Sequence, residues 1–269
     1  MVNVLIIGAG EIGTAIGEVM SAAGMTVGYR DIDATKNLGP DKDIDFLHVC
    51  FGFTEKYSFL QTVGQCTSMY KPKIVVIDST IPVGITRKLH DWTVEKWTDY
   101  RPGFAHSPVR GRHYDLVKQI KMYKKYVGAI DEKVGREVAA HFWRAGIPST
   151  FVGKPEITEL GKLLDTTYYG TVLAMHQEYE RLCKAAGVSI TEAHSIWNDD
   201  ANDQFRKIEG CDHLVKPTLT PGFIGEHCVM PNLELLKEIN VASAIGGTAG
   251  DISLIDFIKS SNKRWKEGK

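Results

Sequence analysis

The sequence lacks the marks of several protein classes. Its 269 residues contain only five cysteines and no C-x-x-C pair, so their spacing indicates neither a disulfide framework nor a zinc site. The 32 basic and 33 acidic side chains nearly cancel, which leaves no overall field to attract nucleic acid or an anionic membrane. No apolar run approaches the ~20 residues that span a bilayer, and residues 1–13 lack the basic start of a secretory signal. We therefore expect a cytoplasmic protein with no metal, no nucleic-acid partner and no membrane partner.

The first half of the sequence has the pattern of an α/β domain. Short apolar runs alternate with segments of helix length, as in buried parallel strands joined by crossover helices. We expect such strands at residues 2–7, 25–29, 46–51, 73–77, 104–106 and 126–130. The predicted fold class is therefore α/β, a Rossmann doubly wound parallel sheet followed by a smaller all-α domain with one long helix.

The second half has a helical pattern. Apolar residues follow a period close to 3.6 from Pro155 to Ala186, which predicts one long helix ended by Gly187. Shorter helices are expected at residues 191–197 and 233–239, with a loop-rich link at 217–231 and a basic, frayed tail at 259–269. These patterns predict an α/β Rossmann domain at 1–153 and an all-α domain at 154–269, to which the motifs below assign dinucleotide binding and substrate binding with dimerisation, respectively. The long helix has more than one apolar stripe, which predicts a homodimer through residues 155–186.

The clearest motif is the glycine-rich turn GAGEIG at residues 8–13, directly after the first strand. Gly8 permits the tight turn, Gly10 lets the backbone approach a pyrophosphate, and Gly13 lets the helix pack against the strand. Asp31 ends the second strand, where a carboxylate can accept both ribose hydroxyls of an adenosine. It would repel a 2′-phosphate, so NAD is favoured over NADP, although the adjacent Arg30 leaves some room for that phosphate. The predicted cofactor-binding residues are Gly8, Gly10, Glu11, Ile12, Gly13, Arg30, Asp31 and Ser79.

Further motifs give the sequence a family resemblance over nearly its whole length. They are DSTIPVGIT at residues 78–86, SPVRG at 107–111, the helix segment 159–162 with Gln177-Glu178 after it, and the stretch 221–228 that ends in Cys228. In this order they resemble the UDP-glucose/GDP-mannose dehydrogenases, within the 6-phosphogluconate dehydrogenase-like superfamily. The resemblance implies a nicotinamide-binding domain and a dimerising domain with a long helix. The sequence ends before the third domain, which in that family holds the sugar nucleotide, could begin.

The resemblance also implies catalytic roles. Thr80 belongs to a Ser-Thr motif near the nicotinamide and holds a catalytic water, while Lys162 stabilises negative charge on the substrate oxygen. Cys228 is the nucleophile that traps an aldehyde so that a second hydride can leave. Thr166 stands one helical turn after the lysine, where the family has an asparagine, and is the fourth predicted catalytic residue.

The sequence departs from the family at three more positions. Val109 stands in place of a glutamate, Asn232 in place of the aspartate after the cysteine, and Glu226 at a glycine position. These changes, with Thr166, affect the general base and the oxyanion-stabilising partner that a four-electron oxidation needs.

A second resemblance is to the β-hydroxyacid dehydrogenases, which have the same two-domain plan at about this length. Their A-P-V-S-G-G stretch is similar to residues 107–111, and their helix lysine to Lys162. They transfer one hydride and need no cysteine. The predicted substrate-binding residues are Ser107, Arg110, Arg112 and Glu159, with the two arginines placed to hold a carboxylate or phosphate.

The leading hypothesis is an NAD-dependent oxidoreductase that oxidises an alcohol of a small acidic or sugar-derived substrate. Two alternatives remain open at the level of sequence. A SAM-dependent methyltransferase with a Rossmann-like fold also places an acidic residue after its second strand. A non-catalytic dinucleotide-binding member of the family would explain the departures equally well.

Overall fold

The apolar runs of the first half form one seven-stranded sheet in the computed structural model, which describes residues 1–111, 114–225, 228–238 and 253–268. The strands are β1 (Asn3–Ile7), β2 (Thr26–Arg30), β3 (Phe46–Val49), β4 (Ile74–Ile77), β5 (Gly103–His106), β6 (Lys125–Ala129) and β7 (Ser149–Gly153). The helices between them are α1 (Glu11–Ala22), α2 (Lys56–Tyr70), α3 (Ile85–Lys96), α4 (Leu116–Met122) and α5 (Glu132–Arg144). The predicted doubly wound α/β class is confirmed.

The sheet has the strand order β2-β1-β3-β4-β5-β6-β7. After β2 the chain crosses to the other side of β1, so a crevice opens at the carboxyl ends of β1 and β3, the usual ligand site of such sheets. Most neighbours are parallel, as predicted, but β6 is antiparallel to β5. The intervening α4 has only seven residues, about 10 Å, which is too short to carry the chain back along the sheet. As a result β6 begins at the edge where β5 ends.

Helices cover both faces of the sheet and create two apolar cores. Val4 and Ile6 belong to one core and Leu5 and Ile7 to the other, because successive side chains of a strand point to opposite faces. All four side chains are buried. This double burial explains why the strands read as continuous apolar runs in the sequence.

The last strand is followed by the predicted long helix, α6 (Pro155–Ala186). The chain divides within it into two compact units, Met1–Lys162 and Leu163–Lys269. The predicted assignment of a cofactor domain and a substrate domain stays a prediction. In the described part of the chain, no helix has both the length and the apolar character needed to cross a bilayer.

The described residues of the second unit form helices and loops without a strand, as predicted. A π-helical turn at Thr191–Ser195 leads into α7 (Ile196–Phe205), which extends well beyond the predicted residues 191–197. The next helix, α8 (Val229–Lys237), begins four residues earlier than predicted, so the loop-rich link is shorter. It packs closely on α6, since a Cβ placed on Gly170 would lie 2.5 Å from Cγ1 of Val229.

The prediction of a frayed tail at residues 259–269 was wrong. The chain forms a further helix, α9 (Ser253–Lys266), that packs through the buried Ile255 and Ile258. The Ser261 hydroxyl lies 2.9 Å from Oε1 of Gln177, and the amide of Gln177 donates to Oδ1 of Asn262 at 3.2 Å. The basic composition of the tail hid an apolar stripe that begins before residue 259.

Candidate active site

The glycine-rich turn joins β1 to α1 at the crevice of the sheet. Gly8 has φ +96°, a conformation that side chains rarely adopt, and a Cβ on Gly13 would lie 2.0 Å from the carbonyl oxygen of Gly8. A Cβ on Gly10 would meet nothing within 4 Å, and Gly10 gives the start of α1 no side-chain cap. The predicted residues Glu11 and Ile12 form the first turn of α1. An uncapped helix N-terminus with open space before it fits the pyrophosphate of a dinucleotide.

Asp31 lies at the same crevice, directly after β2. Its Oδ2 accepts the amide of Ala9 at 2.6 Å, and its Oδ1 accepts the amide of Asp33 at 3.0 Å. These hydrogen bonds, that from Asp33 foremost, hold the pKa of Asp31 below its usual value, so the carboxylate is ionised near neutral pH. A cleft of about 500 Å³ lies beside it, lined by Gly8, Arg30, Asp31, the fully exposed Ile32, Phe51 and Thr54 among others.

Two basic side chains lie near this cleft. The guanidinium of Arg30 donates to the carbonyl oxygens of Tyr29 at 2.6 Å and Leu38 at 3.0 Å, and it forms an ion pair with Asp41 at 3.6 Å. A 2′-phosphate would have to compete with these partners. Lys36, which the sequence did not single out, places Nζ 3.4 Å from the carbonyl oxygen of Ala9. No motif marks Lys36, because it is the last residue of a short 3₁₀ turn, Ala34–Lys36, and does not directly follow a strand.

The Ser-Thr turn follows β4. The hydroxyl of Ser79 is buried and lies 2.6 Å from the carbonyl oxygen of Phe51 and 3.1 Å from that of Val49, so its one proton is used within the backbone. This position makes Ser79 a support of the turn rather than a donor to a cofactor. The neighbouring Thr80 is half-buried.

The predicted substrate residues after β5 have different environments. Ser107 is fully buried, and its Oγ has no hydrogen-bond partner among the described residues. The guanidinium of Arg110 lies 5.8 Å and 5.6 Å from the ring centres of Tyr123 and Tyr126. Arg112 lies outside the described residues. The structure therefore supports Arg110 as a cation held at the carboxyl edge of the sheet, where β5 ends and β6 begins.

Glu159 has a different place from the one predicted for a substrate ligand. Its buried carboxylate accepts the amides of Gly84 at 2.6 Å and Thr86 at 2.9 Å, at the N-terminus of α3. Burial raises the pKa of Glu159, and the two amides oppose that effect. The side chain is a helix cap supplied from α6, because Gly84 itself has no side chain for this role.

Lys162 follows Glu159 by one turn of α6 and is half-buried. Its positive charge acts on the buried His106. Nε2 of His106 bonds to the carbonyl oxygen of Ser79 at 3.1 Å, and Nδ1 bonds to Oγ1 of Thr158 at 2.8 Å. Burial lowers the pKa of His106 to about 3, and the positive charge of Lys162 acts in the same direction. The histidine is neutral at physiological pH, with its proton on Nε2, since a carbonyl can only accept.

This burial predicts a loss of stability in mild acid. Burial also lowers the pKa of His141 to about 2, so neither histidine takes up a proton in the folded chain until the pH is far below 6.5. The unfolded chain takes them up near pH 6.5, and the free energy of unfolding should fall by about 1.4 kcal/mol per histidine for each pH unit below that value. Denaturant unfolding at several pH values measures this slope. The variants H106Q and H141Q should each flatten it, and the exposed-site control H213Q should not. A wild-type stability that is constant down to about pH 5 would contradict the assignment.

In the second unit, two of the departures from the family lie in direct contact. Nδ2 of Asn232 donates to Oγ1 of Thr166 at 3.0 Å, and that hydroxyl lies 3.0 Å from the carbonyl oxygen of Leu163. Cys228 is half-exposed and immediately precedes α8, where its carbonyl oxygen accepts the amide of Asn232 at 3.3 Å. The hydroxyl at position 166 therefore accepts from a side-chain amide that α8 supplies. Glu226 lies outside the described residues.

Comparison with known proteins gives relatives but no matching protein-family model. A UDP-N-acetyl-D-mannosamine dehydrogenase of Pyrococcus horikoshii is 24% identical over 232 residues, which cover 84% of this chain and 47% of that protein. The chain thus spans about half of the length of this relative. The solved structure of the P. horikoshii UDP-D-ManNAc dehydrogenase matches with a TM-score of 0.78 at 18% identity, over 99% of this chain and 69% of the other. A UDP-glucose dehydrogenase from Pyrobaculum islandicum matches with a TM-score of 0.75 at 16% identity, with the same coverage.

A smaller enzyme also matches. The structure of Mycobacterium tuberculosis 3-hydroxyisobutyrate dehydrogenase gives a TM-score of 0.67 at 15% identity and covers all of this chain and 94% of the other. These proteins are all dehydrogenases, so the methyltransferase alternative is not favoured. The chain is similar in sequence and in fold to the sugar-nucleotide dehydrogenases, and similar in fold to a β-hydroxyacid dehydrogenase, as both predicted resemblances imply.

Proposed function

We propose that this chain is a nicotinamide-dinucleotide-dependent dehydrogenase that oxidises an alcohol of a small acidic or sugar-derived substrate. One observation carries the proposal: Gly8 and the ionised Asp31 line one cleft at the carboxyl ends of β1 and β2, and the turn that begins at Gly8 leads to open space at Gly10 and to the uncapped N-terminus of α1. This arrangement offers an acceptor for ribose hydroxyls next to an anion site for a pyrophosphate. The similarity to dehydrogenases supports the same function.

NAD is the proposed form of the cofactor. The carboxylate of Asp31 would repel a 2′-phosphate, and the guanidinium of Arg30 is already bound to Leu38 and Asp41. Lys36 is the nearest cation that favours NADP, and its Nζ is held at the carbonyl of Ala9.

Two cationic side chains of this chain are assigned to the substrate in the proposed reaction. A bound nicotinamide supplies the hydride acceptor. Lys162 stabilises the negative charge that develops on the substrate oxygen as the hydroxyl proton passes to solvent water, and Arg110 holds an anionic group of the substrate. Thr166 lies four residues after Lys162, on the same face of α6, and the bonded Asn232 orients its hydroxyl.

Two substrate classes fit the proposal. A sugar nucleotide is the substrate in the names of the relatives, and for that class the family resemblance implies Cys228 as the nucleophile of a second oxidation. A β-hydroxyacid is the class that we favour, on the resemblance of residues 107–111 and Lys162 to that family and on the fold that the chain shares with the M. tuberculosis enzyme. The neutral pair Thr166–Asn232 also fits a single oxidation, since neither side chain can activate the water that the second oxidation to an acid would consume.

Titration calorimetry with NAD, NADP and SAM tests the cofactor. Replacing Asp31 with Ala should weaken NAD binding about ten- to a hundredfold, because a hydrogen bond to a charged group contributes about 1.5 to 3 kcal/mol. The matched control Asp91→Ala removes an exposed carboxylate of α3 and should leave NAD binding unchanged. Absence of NAD and NADP binding by the wild-type chain at millimolar cofactor would refute the proposed function.

A homodimer through α6 is part of the proposal. Leu164, Tyr168 and Leu182 are 50%, 63% and 67% exposed and follow one stripe of the helix. Three large apolar side chains on one stripe are typical of a surface that a partner covers. We expect sedimentation to show a dimer at micromolar concentration, and the double variant L164E/Y168E to shift it to the monomer. A wild-type monomer at that concentration would contradict the prediction.

A further inference from the structure

A buried row of charged and polar side chains crosses the sheet of the first unit, and the proposed reaction does not use it. Nζ of Lys125 lies 2.7 Å from Oδ1 of Asp78, and Nδ1 of His48 lies 2.7 Å from Oδ2 of the same carboxylate. The Lys125 and Asp78 side chains are 3% and 0% exposed. Nε2 of His48 in turn lies 3.1 Å from Nε2 of His141. Burying charged groups costs free energy of desolvation, and pairing offsets that cost only in part. We therefore asked what structural role this row has.

The two charged residues of this row, Lys125 and Asp78, contact the turns that follow two different strands. Asp78 is the residue directly before Ser79 and Thr80. Nζ of Lys125 also donates to the carbonyl oxygen of Ser107 at 2.6 Å, and the amide of Val109 donates to the carbonyl oxygen of Asp78 at 3.3 Å. The turn after β4 and the turn after β5 are therefore joined by Lys125, by the bond from Nε2 of His106 to the Ser79 carbonyl oxygen, and by two backbone hydrogen bonds, from Ser107 to Ile77 and from Val109 to Asp78.

The antiparallel strand explains how a lysine reaches this place. Lys125 is the first residue of β6, and β6 begins at the edge where β5 ends. In a parallel strand the first residue would lie at the opposite edge, away from both turns. Burial works to raise the pKa of Asp78, but Lys125 and His48 outweigh it and the pKa is lowered, so the pair is ionic at physiological pH.

We propose that Lys125 is a positioning residue that fixes the turn bearing Thr80 against the turn bearing Ser107 and Arg110. This inference rests on the proposed function and adds that the distance between the cofactor side and the substrate side of the reaction depends on this side chain. The ammonium group of Lys125 contacts both turns, whereas the side chains of Asp78 and His48 contact only the first.

Two variants separate positioning from stability. Lys125→Met leaves Asp78 buried without its cation. This change is expected to lower the free energy of unfolding and also to loosen the two turns. The double variant K125M/D78N removes both charges at nearly constant volume, and such neutral replacements commonly recover stability. It does not restore the bond to the Ser107 carbonyl. If the double variant regains its stability but still has a lowered kcat, the loss of activity therefore comes from misplaced turns and not from partial unfolding.

The experiment measures kcat, KM and the dinucleotide Kd of wild type and the double variant, together with amide exchange at Val109. We expect kcat to fall about 10- to 100-fold, as for a misplacement of about 1 Å, while the dinucleotide Kd changes less than about threefold. The protection of the Val109 amide should fall at least about tenfold in the same variant. A wild-type kcat in the stable double variant would overturn the inference.

The exchange measurement keeps the inference separate from the proposed function. If the wild-type chain turns over no substrate, the proposed function fails, and Val109 protection alone decides whether Lys125 holds the turns. Unchanged protection in the double variant would overturn the inference in that case.

If the double variant does not fold, Lys125→Arg is used, since it keeps the charge but changes the donor geometry. It should lower Val109 protection and kcat in part, and wild-type values for both would overturn the inference.

Discussion

Replacing Lys125 with Met is expected to lower the free energy of unfolding by about 3 to 5 kcal/mol, because the change leaves the buried carboxylate of Asp78 without its cation. Both side chains are almost fully buried, and solvent cannot replace the lost partner. Denaturant unfolding of wild type and variant measures the difference. A change below about 1 kcal/mol would show that the pair is not buried as described.

The chain contains a matched control for this prediction. Lys73 and Asp45 form an ion pair at the same 2.7 Å distance, but the Lys73 side chain is 75% exposed. Water solvates both groups when the pair is broken, so Lys73→Met should leave the unfolding midpoint unchanged within measurement error. Comparison of the two lysines isolates burial as the cause. Equal effects of the two variants would contradict the argument.

Replacing Lys162 with Met is expected to lower kcat about 10²- to 10³-fold, the usual effect of removing one group that stabilises a developing oxyanion. The dinucleotide Kd should stay near the wild-type value, because the proposed cofactor contacts lie at Gly10 and Asp31. Steady-state kinetics and calorimetry on the same preparation measure both quantities.

Its control lies on the same helix. Lys184 is exposed on α6 and pairs only loosely with Glu180, at 3.3 Å. Lys184→Met should leave kcat and the unfolding midpoint unchanged. If Lys162→Met also leaves kcat unchanged, the proposed role of Lys162 is wrong.

The parts of the fold that could be predicted from the sequence depend on local pattern. The strand β1 is buried on both faces and therefore reads as an apolar run, and the turn at Gly8 and Gly13 needs glycine for reasons of backbone geometry alone. The long helix α6 shows its period directly in the sequence. Asp31 could be placed because the end of a strand fixes where its side chain lies.

The contacts that were missed join residues far apart in the sequence. Glu159 caps α3 across 73 to 75 residues, and Lys125 meets Asp78 across 47. A glutamate in a helix has the same local pattern whether it binds a substrate or a helix N-terminus, and a lysine next to other lysines resembles a solvated face. The antiparallel direction of β6 determines where Lys125 lies. A short apolar run in the sequence does not show the direction of its strand. The helix α9 was missed because most of its apolar residues lie before residue 259, where the basic part of the tail begins.

The contact between Thr166 and Asn232 changes how the departures from the family are read. Taken one at a time, each looks like the loss of a catalytic group. Together they place an amide and a hydroxyl within 3.0 Å of each other, one helical turn after Lys162. The two departures therefore form one hydrogen-bonded pair, which is compatible with the single oxidation that we propose.

The most direct test of the central claim is hydride transfer to bound NAD. The purified wild-type chain is mixed with excess NAD and limiting alcohol substrate, with UDP-N-acetyl-D-mannosamine and 3-hydroxyisobutyrate as the first two probes, and the NADH formed per substrate is counted. The account predicts NADH from one of these probes or from a related hydroxyacid or sugar nucleotide, at one NADH per substrate. Two per substrate would assign Cys228 a second oxidation and correct the substrate class. Binding of NAD with no NADH from any member of such a panel would contradict the claim that the chain is a dehydrogenase.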